Sequence, residues 1–308
     1  MTSQKIVITG GTGLIGRKLS RKLWELGYDI YIISRKHKTD YRYGKIISWR
    51  NADIEKAIDG AKAVINLAGQ NISTLPWNRK NRHLLMQSRV LTGHILTQVI
   101  EKCENKPEIF IQASATGFYG PDLSKPSDEN TPAGEGYLAG LCKKWEESTR
   151  PMLLMGIRWI AIRSGLVLSW HGGFLRKMVY PFWFFAGGHF GNGKHILPWI
   201  HIDDEVAAII WLIEQNPVYG VVNLVSPNPA NMKQFCQTLG KTMHRPSWMH
   251  IPSFLLRWFF GSSMTKELLL ANQQVVPKKL VASGFVFRFG QLDEAIANII
   301  NQEKYETS

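Results

Sequence analysis

The chain has 308 residues, of which 44% are hydrophobic and 20% charged, with 27 Gly and 14 Pro spread along it and a formal net charge of +13. These values exclude a disordered, collagenous or coiled-coil chain and leave room for a large α/β unit with a smaller lobe. Cys103, Cys142 and Cys236 are too few and too scattered for a disulfide framework, so a reducing, cytoplasmic setting is expected.

In chain order, Met1 to Gln4 pass directly into a short β-branched strand, Lys5 to Thr9, so no signal peptide is expected. Gly10-Gly11-Thr12-Gly13-Leu14-Ile15-Gly16 follows, then an amphipathic helix through Trp24, closed by Gly27. Tyr28 to Ile33 reads as a second strand and Ala63 to Gly69 as a buried one that ends in small residues. Val90 to Lys102 reads as a helix, Ile109 to Ala113 as a strand, Tyr137 to Arg150 as a helix and Trp159 to Arg163 as a strand.

This alternation predicts an α/β fold: a doubly wound parallel sheet of the Rossmann type, with a smaller C-terminal lobe on the substrate side. Residues 1–240 are expected to form the dinucleotide-binding domain, with substrate-side insertions at about 165–200, and residues 250–300 a C-terminal domain. The longest apolar stretch, Met178 to Gly188, is about half the length needed to span a bilayer. It fits either a core helix or an apolar lid over a pocket, and no membrane partner is expected.

From Arg17 to Arg50 the chain carries ten basic and three acidic residues, and from Gly60 to Ile100 five basic and no acidic ones. These stretches hold nearly all of the excess charge and flank the segments that would hold an anionic cofactor. No helix-turn-helix, zinc-finger or ribonucleoprotein motif accompanies them, so no nucleic-acid partner is expected.

Gly10, Gly13 and Gly16 sit between a strand and a helix, the context in which a glycine turn holds a dinucleotide. Gly10 permits the tight turn, Gly13 the close approach of the pyrophosphate, and Gly16 the packing of helix on strand. An NAD site would place Asp or Glu at the end of the second strand, where this chain reads Ser34-Arg35-Lys36. Ser34 can donate a hydrogen bond to a 2′-phosphate and Arg35 a charged fork, so NADP is the expected cofactor.

The glycine turn, Asn66-Leu67-Ala68-Gly69, Ser114-Ala115-Thr116-Gly117-Phe118-Tyr119-Gly120 and Trp199-Ile200-His201-Ile202-Asp203-Asp204 together resemble the extended short-chain dehydrogenase/reductases, the NAD(P)-dependent epimerase/dehydratase family. Arg163 to Leu168, Leu197 to His201 and the tail Leu269 to Phe289 resemble its atypical "epimerase family protein" subgroup. The resemblance covers nearly the whole chain. It implies that Thr12, Leu14 and Ile15 line the pyrophosphate with Gly10, Gly13 and Gly16, that Ser34 and Arg35 hold the 2′-phosphate, and that Leu67, Ala68 and Gly69 pass beneath the adenosine ribose. It adds Arg89 and Val167 as cofactor contacts and leaves a homodimer as an assembly to test.

In this superfamily a Tyr and a Lys four residues later move the proton, beside a Ser at a strand end. Here the register anchored at Glu146 puts Leu138 and Cys142 at the two positions, and Lys144 lies roughly 10.5 Å along the helix from Tyr137. Ser114 or Thr116 could bind the reacting oxygen, and Tyr119 or Tyr137 could donate a proton without a Lys. His189 and His195 could face substrate, while His201 suits a structural role. No residues have metal-ligand spacing, and Asp203-Asp204-Glu205 opens a helix. The expected activity is an NADP-dependent oxidoreductase or epimerase acting on an unidentified carbonyl or hydroxyl substrate. The alternative is a non-catalytic NADPH-responsive regulator.

Overall fold

The computed structural model describes residues 4–35, 41–73, 76–123, 125–214 and 218–306. Its first elements follow the sequence closely: β1 (Lys5–Thr9), α1 (Leu14–Glu25), β2 (Asp29–Ile33), β3 (Lys45–Ile47), α2 (Asn51–Ile58) and β4 (Ala63–Asn66). Next come α3 (Arg79–Lys102), β5 (Ile109–Ala115), α4 (Tyr137–Glu147) and β6 (Arg158–Ser164). Two short elements, β3 and α2, were not anticipated. α3 begins a full 11 residues before Val90, because Asn78 caps it by accepting the Asn81 N–H at 2.8 Å. Its first turns are polar, so apolar periodicity does not reveal them.

One seven-stranded sheet runs in the order Gly220–Leu224, β6, β5, β4, β1, β2, β3. β1 pairs in parallel with both β2 and β4, β2 with β3, and β4 with β5. The chain therefore starts mid-sheet, winds to one edge and returns to the other side, which puts the topological switch point between β1 and β4. Ile6, Val7, Ile8, Val64, Ile65, Phe110 and Ile111 are fully buried, as strands covered on both faces require.

The chain forms two compact units that alternate along the sequence. The first comprises Met1–Ser114, Leu141–Ile162 and Val206–Val222, and the second Ala115–Gly140, Arg163–Glu205 and Asn223–Ser308. The first packs Val7, Ile33, Ile54, Leu96, Phe110 and Trp159 into one apolar cluster. The second packs α5 (Gly173–Trp183), α6 (Met232–Met243) and the last helix, Leu292–Glu306, around a cluster that holds Phe182, Trp199, Phe235 and Ile296. In the stretch from Met178 to Gly188 the residues Met178, Val179 and Phe182 face that core, whereas Phe184 and Phe185 are 79% and 56% exposed. No helix among the described residues is long and apolar enough to cross a membrane.

Candidate cofactor site

The glycine turn closes at the switch point, inside the first unit. Gly10 has φ +71°, and a Cβ there would stand 2.6 Å from the Leu67 carbonyl oxygen, so the turn and the Leu67-Ala68-Gly69 segment meet only because Gly10 has no side chain. A Cβ on Gly16 would stand 2.4 Å from the Gly10 oxygen and 2.6 Å from Gly11 Cα, which lets α1 seat against the turn. Gly13 is exposed, with only the Gly10 oxygen near its Cβ position at 3.1 Å. It precedes Leu14 and Ile15 at the mouth of α1, which has neither a side-chain cap nor an acidic residue in its first turn. The helix thus presents free N–H groups and an uncompensated positive end beside the exposed Thr12 and Gly13.

A buried polar relay fixes the strand ends beneath this turn. The Thr9 hydroxyl donates to Asn66 Oδ1 at 2.6 Å, Asn66 Nδ2 donates to Gln112 Oε1 at 3.0 Å, and the Ala68 N–H donates to Asn66 Oδ1 at 3.2 Å. All three side chains are fully buried. Arg89 supports the segment from below: it donates to the Gln70 carbonyl at 2.9 Å and the Leu85 carbonyl at 3.2 Å, and its guanidinium lies 4.9 Å from the Trp145 ring centroid.

Ile33 stands in register with Thr9, so Ser34 and Arg35 emerge beside the glycine turn. Ser34 is buried, its N–H bound to the Ile47 carbonyl at 3.0 Å, and Arg35 is exposed. Lys36 lies outside the described residues. Open helix mouth, glycine cradle and a hydroxyl with a free guanidinium at the end of β2 fit a dinucleotide that carries a 2′-phosphate. In the second unit, Val167 lies on the short strand Leu166–Leu168, opposite Ile200.

The hydroxyls expected to serve catalysis are each engaged by protein. Ser114 donates to Glu146 Oε1 at 2.6 Å, with both residues buried in the first unit. Thr116 donates to Gln273 Oε1 at 3.1 Å within the second unit. Tyr119, 2% exposed, donates to Asn223 Oδ1 at 2.7 Å and accepts from Arg163 at 3.0 Å, and Arg163 in turn lies 3.3 Å over the Phe118 ring. Burial pushes the Tyr119 phenol above its ordinary value. Leu138 and Cys142, the two positions that the register anchored at Glu146 assigns to the pair, are both buried.

The histidines divide by environment. His201 Nδ1 accepts the Asp203 N–H at 3.0 Å and its ring lies 4.0 Å from that of Phe289. His195 is buried and its pKa is lowered to about 4 by desolvation, so it stays neutral. His189 stacks on His250 at 5.2 Å. Asp204 accepts the Arg288 and Phe289 N–H groups, both at 2.9 Å. Asn66 stands in a motif of the sequence without a role assigned to it, and Gln112 and Gln273 carry no local signal; an Asn closing a fully apolar strand is the one sign of the relay.

Strand order, switch point and glycine turn define a Rossmann-type protein with the turn that dinucleotide-binding proteins use. Residues 6–140 match the model of the NAD dependent epimerase/dehydratase family, and residues 251–299 match a domain of unknown function, DUF1731. The epimerase family protein YfhF of Bacillus subtilis is 33% identical over 303 residues, covering 97% of this chain and 99% of that protein. The chloroplastic SDR39U1 homologue of Arabidopsis thaliana is 34% identical, covering 96% and 86%. The human epimerase family protein SDR39U1, crystallised with NADPH, superposes with a TM-score of 0.87 at 29% identity, covering 97% of this chain and 99% of that one. The chain belongs to the NAD-dependent epimerase/dehydratase family, in the branch of the epimerase family proteins.

Proposed function

We propose that this protein binds NADPH and transfers hydride between it and a small carbonyl or hydroxyl substrate. The observation that carries the cofactor choice is the end of β2, where buried Ser34 and exposed Arg35 stand beside the glycine turn in place of the carboxylate that an NAD site uses. The human relative crystallised with NADPH supports the same choice. Gly10, Thr12, Gly13, Leu14, Ile15 and Gly16 would hold the pyrophosphate, Leu67, Ala68 and Gly69 the ribose, and Arg89 would keep that segment in place. Val167 is a further contact in this reading. The bound cofactor supplies the hydride.

The chain's own contribution to the proton is the pair formed by Ser114 and Glu146. The serine would hold the substrate oxygen, with the Glu146 carboxyl 2.6 Å away to take the hydroxyl proton when the alcohol is oxidised and to return it when the carbonyl is reduced, in place of the missing Tyr-Lys pair. Thr116 is the second candidate for the oxygen contact; Tyr119 would have to leave Asn223 and Arg163 to reach a substrate. A second reading, an NADPH-responsive regulator without turnover, is favoured by Leu138 and Cys142 in the dyad positions.

Thermal unfolding with NADPH, NADH and no ligand tests the cofactor. The NADPH shift should exceed the NADH shift and should largely vanish in Arg35→Ala. NADPH oxidation with a carbonyl panel then separates the readings: turnover abolished in Ser114→Ala supports the enzyme, and binding without turnover on any carbonyl supports the regulator.

A further inference from the structure

We propose that the second unit holds an oxyanion site, a cleft in which Arg257, Lys266, Ser262 and Thr265 take a phosphate or carboxylate group. The inference goes beyond the NADPH reading and does not depend on it, because every residue that lines the cleft belongs to the second unit.

The cleft has a volume of about 530 Å³ and lies between Pro121-Asp122 and the segment from Arg257 to Asn272. Two cations and one carboxylate, Asp122, line it, so its wall is net positive. Among the described residues neither the Arg257 nor the Lys266 side chain has an ion-pair or hydrogen-bond partner. The neighbouring carboxylate of Glu267 is engaged elsewhere, accepting the Leu138 N–H at 2.8 Å and the Ser263 hydroxyl at 3.1 Å.

Thr265 supplies the independent observation. It lines the cleft and is 1% exposed, yet its hydroxyl has no hydrogen-bond partner in the protein. A buried hydroxyl is costly to leave unpaired, and an acceptor in the cleft would pair it. Thr265 opens a single π-helical turn, Thr265–Leu269, an irregularity that recurs where a helix is adapted to a ligand. The wall is also held in place: the Asn272 N–H donates to the Pro121 carbonyl at 2.7 Å and its side-chain oxygen accepts the Ile196 N–H at 2.9 Å. Two unpaired cations beside an orphaned hydroxyl match an oxygen anion, whose several lone pairs accept from all three.

Calorimetric titration of the full chain with inorganic phosphate, at constant ionic strength, tests the site. Saturable binding is expected, weakened about tenfold or more in Arg257→Gln and in Lys266→Gln, as loss of a charge-assisted hydrogen bond predicts. Both residues are exposed, so these variants should fold. Thr265→Val should weaken phosphate, and Thr265→Ser should keep it. Titration with acetate distinguishes the two ligand sources: acetate binding as tightly as phosphate identifies a carboxylate ligand, and much weaker acetate binding a phosphate one. Arg35→Ala should leave phosphate affinity unchanged whether or not NADPH binds. Absence of saturable binding, wild-type affinity in Arg257→Gln and Lys266→Gln, or loss of binding in Arg35→Ala overturns the proposal.

Discussion

Glu205 lies fully buried in the second unit, with one carboxyl oxygen accepting the Ser164 hydroxyl at 2.6 Å and the other without a protein partner. Desolvation raises its pKa from 4.5 to about 8. Across that interval the folded protein keeps a proton that the unfolded chain has released, so this group's contribution to stability declines as pH rises from 4.5 to 8. Melting temperatures at pH 5.5 and 8.5 should therefore fall more for the wild type than for Glu205→Gln; a gap between the two that does not change with pH would exclude the assignment. Tyr119 makes a different case at the same scale. Tyr119→Phe leaves Asn223 and Arg163 short of a buried partner, for a cost of about 1–3 kcal/mol in urea unfolding, while NADPH binding should persist. A loss of binding without a loss of stability would return Tyr119 to the site.

At the scale of elements, the site depends on how closely α1 approaches the turn after β1. Gly16→Ala forces a Cβ against the Gly10 oxygen and Gly11 Cα, so it should both destabilise the fold by about 1–3 kcal/mol and reduce the stabilisation by NADPH. Differential unfolding with and without NADPH separates the two effects, and an unchanged NADPH response would show that α1 does not frame the cofactor. α4 shows what an element can conceal. It brings Glu146 to Ser114 and buries Leu138 and Cys142, the two positions that the register anchored at Glu146 assigns to a Tyr and a Lys. Lys144, on the same helix, is exposed.

For the whole molecule, a ligand that binds only the folded state stabilises it by mass action, and NADPH at about 100 times its dissociation constant should add roughly 2.7 kcal/mol. Denaturant titrations with NADPH and NADH measure this directly, and equal stabilisation by both would refute the role given to Arg35. The class of fold and the cofactor turn were legible in the sequence because both are local: a β-branched run, glycines at fixed spacing and a helix period all act within about 20 residues. The onset of α3 was hidden, since its capping Asn78 precedes a polar first turn that carries no apolar period. The division into interleaved units was equally hidden, because which distant segments share a core is a matter of packing. So were the partners of Ser114, Thr116 and Tyr119, which lie 32, 157 and 104 residues away along the chain. The sequence by itself determined the first strands and the helix after the glycine turn, the glycine cradle and the absence of a Tyr-x-x-x-Lys pair between Tyr137 and Glu146. Only the tertiary structure decided which hydroxyls are occupied, which carboxyl is buried with one oxygen unpaired and where two cations meet an unpaired threonine, because burial and long-range pairing set those properties.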